Sequence, residues 1–187
     1  GITTYSPLRT WGVKAGSRVG VVGLGGLGHM AVKLAVAMGA DVTVMSRSAD
    51  KEADARELGA QHFLNTSDKA AMKAAGSSFD LIIDTVPVQH DLMPYVPLLD
   101  VDATLCLVGQ LGPAPDLNTA PLVLSRKRIA GSLIGGIPET QEMLDFCAEK
   151  GVLPEVEMIR MDQINDAFDR MEKSDVRYRF VIDMSSL

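Results

Sequence analysis

Six residues near the start of the chain have the composition and spacing to bind a diphosphate. They read GLGGLG, follow the apolar run Val19–Val22 and precede a segment of helical pattern. In a GxGxxG turn the first glycine permits a tight turn, the second lets the backbone approach a pyrophosphate, and the third lets helix and strand pack closely. N–H groups at the helix start then face the phosphates. The turn predicts a dinucleotide site at Gly23, Leu24, Gly25, Gly26, Leu27 and Gly28.

Alternatives to a nicotinamide dinucleotide remain open for this turn, both with a ligand and without one. A flavin or a single regulatory nucleotide would use the same backbone geometry, because each presents phosphate groups to the start of a helix. A tight structural turn without a ligand is the other alternative. The residues after the next strand bear on this choice.

The second apolar run, Val42–Met45, ends in a polar loop that contains no early carboxylate. Ser46 stands 23 residues after Gly23, and the first acidic residue is Asp50. A site for NAD places a carboxylate about 20 residues beyond the first glycine, where it binds the ribose hydroxyls. Serine hydroxyls and a guanidinium would instead bind a 2′-phosphate, although a solvated loop is the alternative. We therefore predict NADP(H), held by Ser46, Arg47, Ser48 and Lys51.

The elements that position these residues alternate between apolar runs and helical patterns, and no element is predicted before Val19. Six runs are predicted as strands: Val19–Val22, Val42–Met45, His62–Leu64, Phe79–Asp84, Ala103–Val108 and Ile129–Ile134. Helices are predicted at Leu27–Met38, Lys51–Leu58, Ser67–Ala75 and Asp91–Leu99, the last of them interrupted by Pro94 and Pro97. This rhythm predicts the α/β class, with a doubly wound six-stranded parallel sheet of the Rossmann type.

The pattern changes after Gly136, where the chain no longer extends the parallel arrangement. The expected elements are a helix at Pro138–Lys150, a strand at Glu155–Ile159, a helix at Asp162–Lys173 and a strand at Tyr178–Asp183. We therefore predict two domains, a nucleotide-binding domain at 1–136 and a separate segment at 137–187.

Composition excludes several classes of function. The 187 residues carry a net charge of −6, which would repel nucleic acid and anionic membranes. No apolar run approaches the roughly 20 residues of a membrane span. The two cysteines, Cys106 and Cys147, have no metal-binding spacing, and the three histidines are scattered. We expect a cytoplasmic protein with inert thiols, and we assign no catalytic residue and no metal ligand within the chain.

Several segments together resemble a known family: GITTYSPL, VGVVGLGGLGHMAVKLA, SRS-x-x-K, IIDTV, GSLIGG and VRYRFVID. They resemble the cofactor-binding half of zinc-dependent medium-chain alcohol dehydrogenases, in the NADP-dependent branch that includes cinnamyl alcohol dehydrogenases and bacterial aldehyde reductases. The resemblance covers essentially the whole chain. It implies an oxidoreductase that transfers hydride between NADPH and an aldehyde, with the substrate not identified by the sequence.

The resemblance also implies cofactor contacts beyond the glycine turn and the Ser-Arg-Ser loop. A threonine at the domain start lies near the nicotinamide, and two residues after the fourth and fifth strands line the nucleotide cleft. Three residues of the sixth-strand segment hold the carboxamide, and an arginine of the last strand reaches the pyrophosphate. In this sequence they are, in that order, Thr3; Thr85 and Gly109; Ser132, Leu133 and Ile134; and Arg179.

The catalytic zinc of the family is expected outside this chain. Its ligands are mainly a cysteine, a histidine with its neighbouring glutamate, and a second cysteine in the motif C-A-G-[IV]-T-x-Y, which is matched here from Gly1 onwards. The chain is therefore expected to be the cofactor-binding part of a dehydrogenase, without catalysis of its own. Residues 137–187 would return to a GroES-like catalytic domain.

Relatives pair their sixth strands edge to edge, so the resemblance implies a homodimer through Ile129–Ile134.

The alternative to a dehydrogenase is a stand-alone nucleotide-sensing Rossmann domain without catalysis. A sensor would end near the sixth strand or join a partner-binding module, whereas the segment VRYRFVID resembles a strand of a substrate domain.

Overall fold

The structure is a computed structural model that describes residues 1–109, 112–114, 117–173 and 175–187. The chain forms two compact units, Gly1–Val152 and Leu153–Leu187. Among the described residues, no helix combines the length and the apolar character needed to cross a membrane.

The first unit is built on a six-stranded sheet in which every neighbouring pair of strands is parallel. Its strands are β1 (Arg18–Val22), β2 (Asp41–Ser46), β3 (His62–Asn65), β4 (Phe79–Asp84), β5 (Leu99–Leu107) and β6 (Arg128–Gly131). They lie in the order β3-β2-β1-β4-β5-β6. This order confirms the predicted doubly wound Rossmann sheet, and it reverses between β1 and β4, where such sheets bind nucleotides.

In the described residues of the first unit, six helices accompany the sheet. They are α1 (Ile2–Thr10), α2 (Gly28–Ala37), α3 (Lys51–Glu57), α4 (Lys69–Ala74), α5 (Ala120–Ser125) and α6 (Ile137–Lys150). Helices α1 and α5 were not predicted from the sequence. The helix predicted at Asp91–Leu99 is wrong, because only a short 3₁₀ turn forms at Val96–Leu98. Pro94 and Pro97 explain the difference, since proline lacks the N–H that a helix interior requires.

The sixth strand is shorter than predicted. The expectation was Ile129–Ile134, whereas β6 ends at Gly131. Ile134 has a φ of 56°, which is incompatible with an extended strand. The three residues after β6 therefore form a connection to α6 rather than a continuation of the sheet.

Apolar side chains of the central strands fill the core between the sheet and its helices. Val19, Ile82 and Leu105 are fully buried on β1, β4 and β5. Small residues of α2, including Ala31 and Ala35, are also fully buried and let that helix lie close to the sheet. Each fully buried Val, Ile or Leu contributes about 1.5–3 kcal/mol, so this core fixes the strand ends that surround the site.

The amino-terminal ends of three strands are joined by one arginine. The Arg18 side chain, on β1, donates to Asp80 on β4 at 2.5 Å and to Asp100 on β5 at 2.8 Å. Its backbone N–H also donates to Asp80, at 2.8 Å. Although partial burial alone would raise it, the hydrogen bonds from Arg18 hold the pKa of Asp80 below its ordinary value. This end of the sheet is therefore closed by ion pairs.

The second unit contains a parallel pair of strands, β7 (Glu157–Arg160) and β8 (Phe180–Asp183), with helix α7 (Ile164–Glu172) between them in sequence. Arg170 of α7 donates to Glu157 at 2.8 Å and to Asp175 at 3.0 Å, and lies 4.8 Å from the centre of the Phe180 ring. This arrangement confirms the predicted strand-helix-strand segment.

The predicted domain boundary after residue 136 stays a prediction. In the structure helix α6 belongs to the first unit, where it lies beside α1. The ring centres of Tyr5 and Phe146 are 5.6 Å apart, and the Tyr5 hydroxyl donates to Glu142 at 2.9 Å. Burial and the hydrogen bond to Glu142 raise the pKa of Tyr5 to about 12.

Candidate functional site

The glycine turn has the geometry that its sequence predicts. Gly23 follows β1 with a φ of 86°, which side-chain-bearing residues rarely adopt, and its N–H donates to Met45 at 3.0 Å. A Cβ on Gly28 would lie 2.1 Å from the carbonyl oxygen of Gly23, so helix α2 can start here only with glycine. A Cβ on Gly25 would meet nothing within 4 Å, so the turn faces open space there.

Two predicted residues connect this turn to the neighbouring strands. The Thr85 hydroxyl donates to the carbonyl oxygen of Val22 at 2.8 Å and lies 3.4 Å from that of Gly23. The Gly109 N–H donates to the Asp84 carbonyl oxygen at 3.2 Å, and a Cβ on Gly109 would lie 2.5 Å from the oxygen of Val86. Thr85 and Gly109 therefore hold the carboxyl ends of β1, β4 and β5 together, while their contact with a cofactor stays a prediction.

A pocket of about 300 Å³ opens at this edge of the sheet. Six of the residues assigned from sequence line it: Gly23, Leu24, Ser46, Arg47, Ser48 and Lys51. The structure thus brings the glycine turn and the Ser-Arg-Ser loop into one cavity. Gly25, Gly26, Leu27 and Gly28 complete the turn between this cavity and helix α2.

The loop after β2 is held by hydrogen bonds to Ser46, and the side chains of Arg47 and Lys51 line the pocket. Thr66 N–H donates to the Ser46 carbonyl oxygen at 2.9 Å, and Ser48 N–H donates to the Ser46 hydroxyl at 3.2 Å. In the described part of the chain, no carboxylate lies within ion-pair distance of the Arg47 guanidinium. The Lys51 Nζ lies 3.8 Å from the Asp54 carboxylate. Arg47 therefore carries an uncompensated positive charge that suits a phosphate.

The opposite wall of the pocket was not found by sequence reasoning. It consists of the loop after β4 and its neighbours: Thr66, Val86, Val88, Gln89, His90 and Tyr95. Asp84 at the end of β4 is fully buried, and its Oδ2 lies 2.9 Å from His90 Nε2. Burial raises the pKa of Asp84. The Asp84 and His90 side chains were a possible signal, but the sequence analysis treated the histidines as scattered and predicted no pairing with Asp84.

The remaining assigned residues lie outside the pocket. Thr3 is half-buried on α1, and Ser132 follows β6, where its N–H donates to Leu107 at 3.0 Å. A Cβ on Gly135 would lie 2.8 Å from the Ile2 side chain, so the start of α1 lies beside the segment after β6. The other two residues of that segment, Leu133 and Ile134, are exposed. Their contacts with a cofactor stay predictions.

Arg179 belongs to the second unit. It directly precedes β8, and its carbonyl oxygen accepts a hydrogen bond from Glu157 N–H at 2.9 Å. This bond sits at the start of the β7–β8 pairing. The predicted reach of its side chain toward a pyrophosphate stays a prediction.

Metal-ligating side chains do not cluster in the part of the chain that the structure describes. Among those residues, no group of three or more His, Cys, Asp or Glu could hold a metal ion. Cys106 is buried on β5, and burial raises its pKa to about 12, so its thiol stays protonated at neutral pH. Cys147 is half-buried on α6, with its Sγ 3.7 Å from the sulfur of Met143.

The sequence of the chain matches a known family and several individual relatives. The family model for zinc-binding dehydrogenases matches residues 26–149. The NADP-dependent alcohol dehydrogenase C of Mycobacterium tuberculosis is 54% identical over 187 residues, which are 100% of this chain and 54% of that protein. An aldehyde reductase of Escherichia coli is 52% identical over 188 residues, again covering 100% of this chain and 54% of the relative. The chain spans about half the length of the curated relatives it matches.

Solved structures show the same relationship in three dimensions. A cinnamyl alcohol dehydrogenase from Sorghum bicolor superposes with a TM-score of 0.94 at 45% identity, covering 98% of this chain and 53% of that one. A cinnamyl alcohol dehydrogenase from Helicobacter pylori, complexed with NADP(H), superposes with a TM-score of 0.86 at 43% identity, covering 98% and 52%. The chain belongs to the family of zinc-binding dehydrogenases, in which it is similar to NADP-dependent and cinnamyl alcohol dehydrogenases.

Proposed function

We propose that this chain is the NADP(H)-binding portion of an alcohol dehydrogenase that interconverts small aldehydes and alcohols. The observation that carries the proposal is the pocket beside the glycine turn, which Arg47 lines with a charge that no nearby carboxylate compensates. Similar proteins include an NADP-dependent alcohol dehydrogenase and a structure complexed with NADP(H), which support the same cofactor.

The glycine turn would bind the pyrophosphate. The N–H groups at the start of α2 point toward the turn, and the helix dipole favours a negative charge at that position. The open space around Gly25 leaves room for phosphate oxygens to approach the backbone. The hydrogen bonds of Thr85 would keep this turn in place when the ligand binds.

The Ser-Arg-Ser loop would select NADP(H) over NAD(H). The hydroxyls of Ser46 and Ser48 and the guanidinium of Arg47 line the same pocket as Lys51. A charge-assisted contact between Arg47 and the 2′-phosphate is worth about 1.5–3 kcal/mol, which corresponds to about a 10- to 100-fold preference for NADPH.

The other end of the cofactor would lie near the sixth strand. Thr3, with the backbone of Ser132, Leu133 and Ile134, would hold the nicotinamide. NADPH supplies a hydride from its nicotinamide ring to the carbonyl carbon of the substrate. The chain's own residues would orient that ring and fix which face it presents.

The zinc that the family implies is not assigned to this chain. Its described residues bring no suitable set of ligands together, so no step of the proposal runs through a metal. In the family the first zinc ligands lie in an N-terminal barrel-like domain, and the second cysteine belongs to the motif C-A-G-[IV]-T-x-Y, which this chain matches from Gly1 onwards. We therefore expect NADPH binding by this chain without aldehyde reduction, and turnover that survives removal of any full-length enzyme would contradict this.

The same chain is proposed to form a homodimer through β6. This strand lies at one edge of the sheet, where its backbone can pair with a second copy. Exposed apolar side chains lie close to it in sequence: Val123, Leu124, Leu133 and Ile137. Sedimentation should therefore give a dimer at high concentration, and a monomer at every concentration would contradict the assembly without affecting the cofactor site.

The proposed function is tested by calorimetric titration of the chain with NADPH and with NADH. A preference of about 10- to 100-fold for NADPH is expected from the charge of Arg47. Equal affinities would leave the dinucleotide site in place but contradict the assignment of NADP(H). Binding of neither cofactor would contradict the proposal for this chain.

A further inference from the structure

A buried carboxylate organises the pocket wall opposite the Ser-Arg-Ser loop. Asp84 is 0% exposed at the carboxyl end of β4. Its Oδ1 accepts a hydrogen bond from Val86 N–H at 3.1 Å, and its Oδ2 lies 2.9 Å from His90 Nε2. None of the contacts assigned above to NADP(H) uses the Asp84 or the His90 side chain, so their pairing needs another explanation.

The hydrogen bonds of His90 determine how many protons the pair carries. His90 Nδ1 lies 2.9 Å from the carbonyl oxygen of Val88, which can only accept, so Nδ1 carries a hydrogen. The contact between Nε2 and Asp84 Oδ2 then needs one further proton. It is either an imidazolium facing a carboxylate or an imidazole facing a carboxylic acid. In both forms the pair shares one proton and is neutral overall.

Hydrogen bonds of this pair hold the loop after β4 against the end of that strand. Three hydrogen bonds connect Asp84, Val86, Val88 and His90 within seven consecutive residues. Val86, Val88, Gln89 and His90 all line the pocket, so the bonded loop is one of its walls. Tyr95 packs its ring edge-on against His90, with ring centres 6.1 Å apart, and its hydroxyl bonds with Thr66.

We propose that Asp84 and His90 are positioning residues whose shared proton holds this wall in the shape that receives the adenosine end of NADP(H), so that cofactor affinity falls when the proton is lost at alkaline pH. The inference rests on the proposed function, because it concerns the same pocket. It adds a pH dependence that the glycine turn and the Ser-Arg-Ser loop do not supply.

Loss of the proton would leave two lone pairs facing each other. His90 Nε2 and Asp84 Oδ2 would then be 2.9 Å apart without a hydrogen between them, beside a buried negative charge. Among the described residues, Tyr95, Arg47 and Lys51 line the same pocket as His90, and Asp91 follows His90 in sequence. Burial, with the charge of Asp84, raises the pKa of Tyr95, so its hydroxyl stays protonated.

Two substitutions distinguish the effect of the shared proton on cofactor affinity from the effect of side-chain packing. His90→Phe keeps a ring against Tyr95 but removes both nitrogens, so the buried Asp84 carboxylate loses its histidine partner. Asp84→Asn keeps an acceptor for Val86 N–H and can donate to a neutral His90, so all three hydrogen bonds remain without a shared proton. His62→Phe is the matched control, because His62 pairs with Asp41 at 3.0 Å but does not line the pocket.

Calorimetric titration with NADPH and with NADH, from about pH 6.5 to about pH 9, tests the inference. In the unaltered chain both affinities should fall toward alkaline pH. His90→Phe should weaken both cofactors by about tenfold at neutral pH, since the wall serves the adenosine that they share. Asp84→Asn should bind as the unaltered chain does at neutral pH and lose the alkaline decrease. His62→Phe should change nothing.

Each contrary outcome identifies what fails. If His90→Phe and Asp84→Asn both keep the affinities and the pH profile of the unaltered chain, the positioning role is wrong while the NADPH preference stands. If His90→Phe weakens NADPH alone, His90 acts on the 2′-phosphate and not on the wall. If His90→Phe does not fold, the pH profile of Asp84→Asn decides. If the unaltered chain binds neither cofactor, the proposed function itself fails.

Discussion

The two ends of the six-stranded sheet use arginine for opposite purposes. At the amino end, Arg18 is saturated by Asp80 and Asp100, which belong to the two strands beyond β1. At the carboxyl end, Arg47 lines a pocket and has no carboxylate within ion-pair distance in the described residues. An arginine that is paired within the chain stabilises the fold, whereas an unpaired one gains its favourable contact only from a ligand.

Helix termini sharpen the contrast between these ends. In a parallel sheet with crossover helices, each helix that follows a strand begins near the carboxyl end of that strand, so N–H groups and positive dipole ends collect there. Gly23 and Gly28 bring the start of α2 directly onto β1 at that edge. The amino end is closed by the ion pairs of Arg18 with Asp80 and Asp100. Stability and binding should therefore respond to different residues.

The largest effect is expected at the glycine turn. In Gly28→Ala the new Cβ would lie 2.1 Å from the backbone oxygen of Gly23, which cannot move without opening the turn. We expect a loss of more than about 2 kcal/mol in the free energy of unfolding and no measurable binding of NADPH or NADH. Denaturant unfolding and calorimetry measure the two quantities.

Gly25→Ala is the matched control for that substitution. Its Cβ would meet nothing within 4 Å, so the free energy of unfolding should change by less than about 1 kcal/mol. Binding of both cofactors should still fall, because the methyl group would occupy the space left for the pyrophosphate. Equal binding by Gly25→Ala and the unaltered chain would show that phosphate does not approach this part of the turn.

The next effect concerns the unpaired arginine. Arg47→Gln should weaken NADPH by about 10- to 100-fold and leave NADH unchanged, since only NADPH carries the 2′-phosphate. Its unfolding free energy should stay the same, because no ion pair within the described residues is lost. Arg126→Gln is the control, with a side chain 74% exposed beside Asp102 and remote from the pocket lining. A similar loss in both variants would indicate a general charge effect.

The smallest effect is expected at the paired arginine. Arg18→Met removes the bonds to Asp80 and Asp100 while keeping an unbranched side chain. We expect a loss of about 1 kcal/mol in the free energy of unfolding, near the upper value for exposed pairs, and unchanged affinity for NADPH. A binding defect without a stability defect would reverse the comparison between the two ends.

The pH dependence of stability provides a second measurement on Arg18. Because Arg18 holds the pKa of Asp80 below its ordinary value, the stabilisation is present above the unfolded pKa of about 4 and is lost as pH falls through the folded pKa. The difference in unfolding free energy between the unaltered chain and Arg18→Met should therefore shrink below about pH 4. A difference that stays constant down to pH 2 or so would mean that these carboxylates do not contribute through Arg18.

Most of the fold could be predicted from the sequence because its signals are local. Apolar runs separated by helical patterns identify buried parallel strands, and all six were found, although the start of β5 was placed four residues late and the end of β6 three residues too far. Helix α1 was not predicted, since its buried residues include Thr4, Ser6 and Pro7 and give no apolar stripe. Its helical state depends on packing against α2 and α6. The helix expected at Asp91–Leu99 was wrong because two prolines outweigh the apolar pattern.

Half of the candidate pocket could be predicted and half could not. The glycine turn and Ser46, Arg47, Ser48 and Lys51 are contiguous with strands that the sequence identifies. The wall with His90 and Tyr95 lies on an irregular loop, and loop conformation is not encoded in a short periodic pattern. His90 meets Asp84 only because the chain turns back within six residues.

The sequence by itself determined that a glycine turn follows β1 and that the loop after β2 has no carboxylate before Asp50, because these features depend on spacing along one segment. Only the tertiary structure decided which charges are paired. Arg18 and Asp100 are 82 residues apart, and no local pattern shows that Arg18 is paired. Ion pairing depends on distances of a few ångströms between side chains on different strands, and those distances exist only after the sheet has assembled.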